Sequence, residues 1–226
     1  SIIGLEPDLI WKAQGNKAYI KDNEYDSNLY IKQNLGTFES LSNLVDNSKI
    51  NLPTELPPMS AGIFGYVGYD AIRLIENIKD TLPEQNEFPD AMFMRPSTMI
   101  VFDNVRDEIT IIIPIRFKEN IDYLDAIKES ERKISEVIGK INSNHKKHLK
   151  IKTNQKETKI TSNIKKEEYI SIVKKAKSYI KEGDIFQVVL SQKFKSKFEL
   201  HPFSLYRSLR RINPSPFLFF LNFDDF

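Results

Sequence analysis

The change of periodicity at Gly183 constrains the fold of this 226-residue chain more than any other feature. Before it, apolar residues recur at three- and four-residue spacing, as in the stripe of an amphipathic helix: Tyr169, Ile172, Val173, Ala176, Tyr179 and Ile180. After it the period is two from Ile185 to Lys195, which predicts a long strand. Glycine often closes helices because it adopts the left-handed conformation without steric cost. The pattern predicts a helix that ends at Gly183 and leads into a strand.

A second helix and an apolar run follow this strand. Pro202 suits the first turn of a helix. The predicted buried face of that helix is Phe203, Leu205, Tyr206, Leu209 and Ile212. Asn213-Pro214 ends the helix, because proline disfavours a helical conformation in the residue before it. The continuous apolar run at 217–221 predicts a strand that is covered on both faces.

The first 45 residues predict a small antiparallel meander and a short helix. Gly15-Asn16 is a hairpin-type pair between two strand-like segments. Trp11 lies in the first of them and is interpreted as a core residue. Thr37 is a candidate N-cap for the helical stripe that ends at Val45.

Two strands and a long helix are predicted in the middle of the chain. The strands occupy 98–103 and 108–115, and alternating isoleucines predict that the second has one buried face. Pro114 should lie at a strand end or an edge, because it cannot donate a ladder hydrogen bond. The apolar stripe from Ile121 to Ile141 predicts a helix packed on the sheet.

Composition excludes several classes of function. The chain has 33 Lys and Arg against 31 Asp and Glu, so a net charge of +2 argues against nucleic-acid or membrane-surface partners. It has no cysteine, which excludes disulfides, thiolate metal sites and a cysteine nucleophile. No apolar run reaches the ~20 residues of a membrane span. We expect a soluble, cytoplasmic protein, and the abrupt termini predict a fragment.

Two motifs resemble ligand sites but are interpreted structurally. The glycines from Gly62 to Gly68 match neither the dinucleotide fingerprint nor a P-loop, so they predict a strand packed closely on its neighbours, and Asp70 then precedes a short helix. His145 and His148 have no third ligand nearby, and their basic surroundings predict an exposed linker.

The polar residues of the C-terminal part do not form a catalytic pattern. The candidates are Asp184, Gln187, Ser191, Gln192, Arg207, Arg210 and Arg211. They contain no Ser/His/Asp set, paired carboxylates or metal-ligand spacing. Asp184 is interpreted as a turn residue and His201 as part of a helix start. From these residues alone the prediction is an α+β protein.

Several segments in a fixed order resemble the anthranilate synthase component I family of chorismate-utilising enzymes. They are SIIGLEPDL, GIFGYVGYDAIRLIE, FPDAMF, VFDNV, EGDIFQVVLSQKF and NPSPFLFF. The resemblance implies an N-terminal domain at 1–142, an exposed linker at 143–163 and the start of a chorismate-binding domain at 164–226. It also implies antiparallel sheets packed with helices in a β/α/α/β-type sandwich, incomplete here because the C-terminal half is absent.

The family resemblance implies a lyase that converts chorismate and ammonia to anthranilate and pyruvate in tryptophan synthesis. It implies Mg²⁺ as cofactor, a glutamine amidotransferase subunit (component II) as the ammonia source, and feedback inhibition by tryptophan. The family's catalytic and metal residues lie C-terminal to the position that matches Phe226. We therefore expect no catalytic or metal residue in this chain.

The resemblance also implies an inhibitor site. The family's Pro-Tyr-Met segment, which lines the tryptophan pocket, matches Pro216, Phe217 and Leu218. The Phe removes a hydroxyl, while Leu for Met nearly conserves volume. The opposite wall is a Glu-Ser segment that the family places before the match to Ser1. A further departure is Lys165, where relatives carry a hydroxyl-bearing helix cap.

Asn163 is the expected replacement for that cap.

Two alternative functions remain open. The homologous aminodeoxychorismate synthase of folate synthesis shares the fold and substrate, although Val188-Val189-Leu190 favours anthranilate synthase because the relative carries a polar residue in that strand. The absence of a catalytic pattern also allows a non-catalytic module that binds an amino acid.

Overall fold

The computed structural model shows two compact units. Unit 1 comprises residues 1–145 and 221–226, and unit 2 comprises residues 146–220. The described residues are 1–22, 29–57, 59–78, 88–116, 122–143 and 159–223. Most of the predicted linker, with His145 and His148, lies outside them. The domain boundaries predicted at residues 142 and 163 therefore stay predictions.

A hairpin opens unit 1. β1 (Ile2–Gln14) turns at Gly15 into β2 (Lys17–Asp22), and β3 (Ile31–Lys32) pairs with the other edge of β2. Gly15 has a φ of +53°, a conformation that costs glycine little. The predicted hairpin is confirmed, and β1 is one continuous strand.

The longest pairing joins β1 to β5 (Ala91–Asp103) in antiparallel register. The register shifts between Pro7 and Leu9, so Asp8 is the extra residue of a β-bulge. Glu6, two residues before Asp8, has a φ of +49°. A bulge bends its strand and changes the direction of the side chains beside it. Asp8 is therefore the residue of β1 that has no partner opposite it on β5 at the bulge.

Two short strands share the other edge of β5. β4 (Phe64–Val67) pairs with its beginning and β6 (Glu108–Ile112) with its end, which leaves 95–98 without a strand on this side among the described residues. The sheet order is β3-β2-β1-β5-β4, with β6 also on β5. The prediction that β6 buries one face is wrong at Ile109, which is half exposed because β6 is an edge strand. Pro114 follows the end of β6, as predicted.

The hairpin turn caps α1 (Thr37–Ser48). The backbone N–H of Thr37 donates to Asn16 Oδ1 at 2.9 Å, and the Thr37 hydroxyl donates to the Gly15 carbonyl at 2.7 Å. Gly36 occupies the N-cap position, so the prediction that Thr37 caps the helix is wrong. The capping side chain comes from 21 positions earlier in the chain, where no local pattern indicates it.

The core of unit 1 lies on both faces of the sheet. On the α1 face, buried Trp11 donates from Nε1 to Ser40 Oγ at 2.9 Å. The buried cluster there is Leu9, Trp11, Ala13, Ala18, Leu44 and Ala91. On the opposite face, Ile10, Met92 and Phe223 pack together. The prediction that Trp11 is a core residue is confirmed.

The glycine segment that begins at Gly62 is structural. Gly65 lies in β4, where a Cβ would collide with the backbone carbonyl of Met92 on β5. A 3₁₀ helix, Tyr69–Leu74, follows the strand. The predicted strand and short helix are confirmed, but the helix begins at Tyr69 with Gly68 as its N-cap, so the prediction that Asp70 precedes it is wrong. Close approach of β4 to β5 explains the glycine.

α2 (Tyr123–Asn142) is the long amphipathic helix predicted for this region. Asp122 is its N-cap, and the Asp122 Oδ1 accepts a hydrogen bond from the backbone N–H of Leu124 at 2.7 Å. A side-chain oxygen at this position satisfies one of the backbone donors left free at a helix start. The predicted helix is confirmed.

Unit 2 contains two helices and a minimal sheet in its described part. Its elements are β7 (Thr161–Ser162), α3 (Lys166–Glu182), β8 (Phe194–Lys195) and α4 (Pro202–Ile212). The strand pairs of both units are antiparallel, so the predicted α+β class is confirmed. Within the described ranges, no helix combines the length and apolar character needed to span a membrane.

We expect Gly65→Ala to lower the free energy of unfolding by about 1–3 kcal/mol, because the Met92 carbonyl cannot move without disturbing the β4–β5 ladder. Gly62→Ala is the matched control, since its added carbon would contact the Phe64 ring at an ordinary 3.4 Å. Trp11 is the single tryptophan of the chain and is buried in unit 1, so its fluorescence reports unfolding in denaturant. Equal stability of the two variants would contradict the close-packing interpretation.

Candidate functional site

The end of α3 has the glycine cap that the sequence predicts. Gly183 has a φ of +84° in the left-handed region. Its N–H donates to the Ile180 carbonyl at 3.3 Å, and the N–H of Asp184 donates to the Tyr179 carbonyl at 3.0 Å. These are the two hydrogen bonds of a Schellman motif. Asp184 is therefore a turn residue, as predicted.

The strand predicted from Ile185 to Lys195 forms only at β8, so that prediction is wrong for most of the segment. A strand needs a hydrogen-bonded partner along its length, and in the described part of unit 2 only β7 pairs here. Phe186 is 99% exposed and Val189 is 82% exposed. The alternation is that of a strand, but unit 2 does not provide the neighbours that would bury it.

Asn163 extends the short sheet of unit 2 by bonding to Lys193, beside β8. Its N–H donates to the Lys193 carbonyl at 3.1 Å, and its Oδ1 accepts from the Lys193 N–H at 2.7 Å. The expectation that Asn163 caps α3 is therefore wrong, because its side chain bonds to Lys193, the residue before β8. Lys165 is the N-cap and makes no side-chain capping bond. Glu167 and Glu168 place negative charge in the first turn, where it interacts favourably with the helix dipole and stabilises α3.

α4 and the chain after it are held together by aromatic rings. His201 is the N-cap, and its Nδ1 accepts from the Phe203 N–H at 3.2 Å, which confirms its place at the helix start. Pro202 follows at the beginning of the helix, as predicted. The Phe203 and Tyr206 rings stack at 5.7 Å, and Phe220 lies 5.4 and 5.9 Å from them. This cluster anchors the segment that follows α4.

Between α4 and Phe220 the chain makes a turn that carries Pro216, Phe217 and Leu218. The Ser215 carbonyl accepts from the Leu218 N–H at 3.3 Å, and Ser215 Oγ accepts from the Phe217 N–H at 3.3 Å. Phe217 is 85% exposed, whereas Leu218 is half-buried. Aromatic and aliphatic side chains thus lie beside a proline in one hydrogen-bonded turn. Their assignment to a tryptophan site stays a prediction.

The strand predicted at 217–221 is absent, so that prediction is also wrong. Phe217 and Phe219 are largely exposed. An apolar run is covered on both faces only where neighbouring strands and a second layer enclose it. The described residues of unit 2 provide no strand beside this run.

The polar residues of unit 2 do not assemble into catalytic machinery in the part of the chain that the structure describes. Gln187 and Ser191 are exposed, and Gln192 Oε1 accepts from the Ser162 hydroxyl at 3.2 Å. The three arginines of α4 are also exposed. No three His, Asp or Glu side chains in the described ranges lie close enough together to hold a metal ion.

A buried charged cluster in unit 1 was missed by the sequence reasoning. Asp8 Oδ1 accepts from Arg95 Nε at 2.8 Å, and Asp8 Oδ2 accepts from Arg116 Nη1 at 3.5 Å. Arg95 Nη1 donates to Ser48 Oγ at 3.3 Å. Burial lowers the pKa of Arg116, as does Arg95, while Asp8 partly offsets both. Asp8 and Arg116 are 108 positions apart, so no local pattern links them. The only signal in the sequence was a charged residue within an apolar segment.

Comparison with known proteins decides the family. Residues 6–226 match the chorismate binding enzyme family. The chain belongs to this family. It is 37% identical over 227 residues to anthranilate synthase component 1 of Cereibacter sphaeroides, covering 100% of the chain and 45% of that protein. It is 36% identical to the Acetivibrio thermocellus protein of the same name, covering 99% and 45%.

A solved structure agrees with the sequence relatives. The crystal structure of anthranilate synthase component I from Streptococcus pneumoniae TIGR4 matches with a TM-score of 0.75 at 26% identity. The match covers 100% of this chain and 48% of that one. The predicted resemblance to anthranilate synthase component I is confirmed over the whole chain. The chain spans about half the length of these relatives.

We expect Gly183→Ala to destabilise the end of α3 by about 1–2 kcal/mol, because a Cβ disfavours the left-handed conformation. Gly139→Ala in α2 is the matched control. Neither added carbon would meet an atom within 4 Å, so backbone conformation alone separates the two sites. The control should gain about 1 kcal/mol.

Hydrogen exchange measured by mass spectrometry tests this expectation. Amides in the last turn of α3 should exchange faster in Gly183→Ala than in the unchanged chain. Unchanged exchange there would show that the left-handed cap does not stabilise the helix end.

Proposed function

We propose that this chain is part of an anthranilate synthase component I, which converts chorismate and ammonia to anthranilate and pyruvate in tryptophan biosynthesis. The observation that carries the proposal is the match of 6–226 to the chorismate binding enzymes, together with relatives of this name along the whole chain. The S. pneumoniae structure supports it independently at the level of the backbone.

In this proposal the chemistry belongs to a longer protein. Curated relatives are covered over only 45% of their length. The described residues of this chain contain no group of three His, Asp or Glu side chains that could hold a metal ion. Chorismate turnover and the Mg²⁺ requirement are therefore assigned to residues outside this chain, and the chain alone should be inactive. Unit 2 would provide scaffold for the chorismate-binding domain.

The proposal also includes a partner and a location. Ammonia would come from a glutamine amidotransferase subunit, component II, in the cytoplasm. The net charge of +2 implies no polyanionic partner. The lyase class follows from the proposed loss of pyruvate from chorismate.

We further propose that the turn of Pro216, Phe217 and Leu218 forms part of a tryptophan-binding pocket. An exposed phenyl ring and a half-buried aliphatic group offer apolar surface suited to an indole. Ser215 and the ring cluster around Phe220 hold the turn, which reduces the ordering cost of binding. This placement supports recognition of the ring more than recognition of polar groups.

A second candidate function is a non-catalytic module that binds an amino acid. The observation that favours it is that the described residues contain no group of three His, Asp or Glu side chains able to hold a metal ion. It retains the turn at Pro216 as a ligand site but assigns no turnover to the protein. Turnover by the intact gene product separates the two candidates.

We expect the intact gene product, supplied with chorismate, Mg²⁺ and ammonia, to form anthranilate, which is detected by its fluorescence. The 226-residue chain alone should form none. Formation of aminodeoxychorismate instead would assign the protein to folate synthesis. A folded intact protein that turns over no chorismate would refute both enzyme assignments and leave the binding module.

We expect Leu218→Glu to abolish inhibition by tryptophan with less effect on the uninhibited rate, because a carboxylate would be desolvated against the indole. Leu218→Met is the matched control and should retain inhibition, since it nearly conserves volume. The measurement is the anthranilate rate as a function of tryptophan concentration. Inhibition requires different affinity in two states, so an unchanged curve for Leu218→Glu would rule out this site.

A further inference from the structure

One edge of the Arg116 guanidinium is buried without partners in unit 1. Nη1 lies 3.5 Å from Asp8 Oδ2, but Nε and Nη2 have no hydrogen-bond partner among the described residues and essentially no solvent-exposed surface. Buried polar atoms in folded proteins are nearly always paired, and a charged donor is the costliest exception. These two donors therefore need an acceptor that the described part of the protein does not provide.

Among the described residues, the charges around Arg116 do not balance. Two guanidinium groups, Arg95 and Arg116, share the single carboxylate of Asp8, and their side chains are 14% and 17% exposed. The second acceptor of Arg95, Ser48 Oγ at 3.3 Å, is neutral. Burial and Arg95 both lower the pKa of Arg116, which means that the site penalises its second positive charge. Arg95, Arg116 and Asp8 together carry a net charge of +1, and one further negative charge would bring it to zero.

The unpaired donors also have a matching shape. Nε–H and Nη2–H lie on the same edge of the planar guanidinium and point in parallel. Two such donors bind two oxygens of a carboxylate or a phosphoryl group at once. A carboxylate or a phosphoryl group offers each donor an oxygen of its own, whereas a single carbonyl or water oxygen would have to accept from both.

The sheet explains how the cluster forms. The bulge at Asp8 adds one residue to β1 opposite β5, where the register places Leu9 against Arg95. On its other edge β5 has no described strand at 95–98, between β4 and β6. Arg116 follows the end of β6 and contacts Asp8. β1, β5 and the segment after β6 therefore bring two arginines to the carboxylate of Asp8, at the bulge.

We propose that Arg116, assisted by Arg95, binds a two-oxygen anion, a carboxylate or a phosphoryl group, at this place in unit 1. The anion lies on the Nε and Nη2 edge and balances the excess positive charge. The site is formed by residues of unit 1 and does not depend on the proposed enzymatic activity.

Thermal unfolding of the full chain, followed by Trp11 fluorescence, tests the proposal. Inorganic phosphate and acetate replace chloride in separate titrations at constant ionic strength. We expect saturable stabilisation, with the folding equilibrium constant raised about 100-fold when the anion reaches 100 times its Kd. A response to phosphate alone identifies a phosphoryl ligand, and a response to acetate alone identifies a carboxylate. A wild-type protein with no saturable response overturns the proposal.

Arg116→Lys keeps the charge but removes the two-donor edge, so the saturable response should be lost. Arg132→Lys is the matched control, because Arg132 is exposed on α2 and pairs with Glu129 and Glu136. It should retain the response. An unchanged response in Arg116→Lys overturns the proposal. Calorimetric titration of the wild-type chain with phosphate and with acetate, with one bound anion expected, decides the case if Arg116→Lys does not fold.

Discussion

The antiparallel pairing of β1 with β5 is the interaction on which unit 1 depends. It joins the first strand to a segment about 90 residues later, from Ile2 opposite Val101 to Ala13 opposite Ala91. β2 and β3 build outward from β1, while β4 and β6 build from β5. Both cores lie on the faces of this ladder. Because such distant segments must meet before either face is buried, the pairing carries a large loop-closure cost that hydrophobic burial offsets.

That ladder also determines which polar groups meet. The hairpin turn places Asn16 at the start of α1, and the bulge brings Asp8 to Arg95 and Arg116. Such contacts matter for stability, because a charge removed from water loses hydration free energy that a nearby opposite charge or hydrogen bond must offset. The turn of Leu218 in unit 2 differs in character: it is exposed, local and held by neighbouring backbone groups.

Helices were the more predictable elements, because their signals are local. The stripe of α3 and its cap at Gly183 lie within a short stretch, and the Schellman bonds form inside it. Strands were less predictable. Alternation at 185–195 and the apolar run at 217–221 indicate residues suited to a sheet, but a strand exists only where a partner provides hydrogen bonds. The N-caps of α1 and α3 were predicted wrongly, since Asn16 reaches α1 from a distant turn and Asn163 bonds to Lys193 instead of α3.

The sequence by itself determined the helices, the hairpin at Gly15, the α+β class and, through ordered motifs, the resemblance to anthranilate synthase component I. These depend on local conformational preference, periodicity and residue identity. Only the tertiary structure decided the bulge at Asp8, its contacts with Arg95 and Arg116, and which predicted strands find partners. The physical reason is that strand pairing and buried ion pairs join residues far apart in the chain, whose proximity no local pattern encodes.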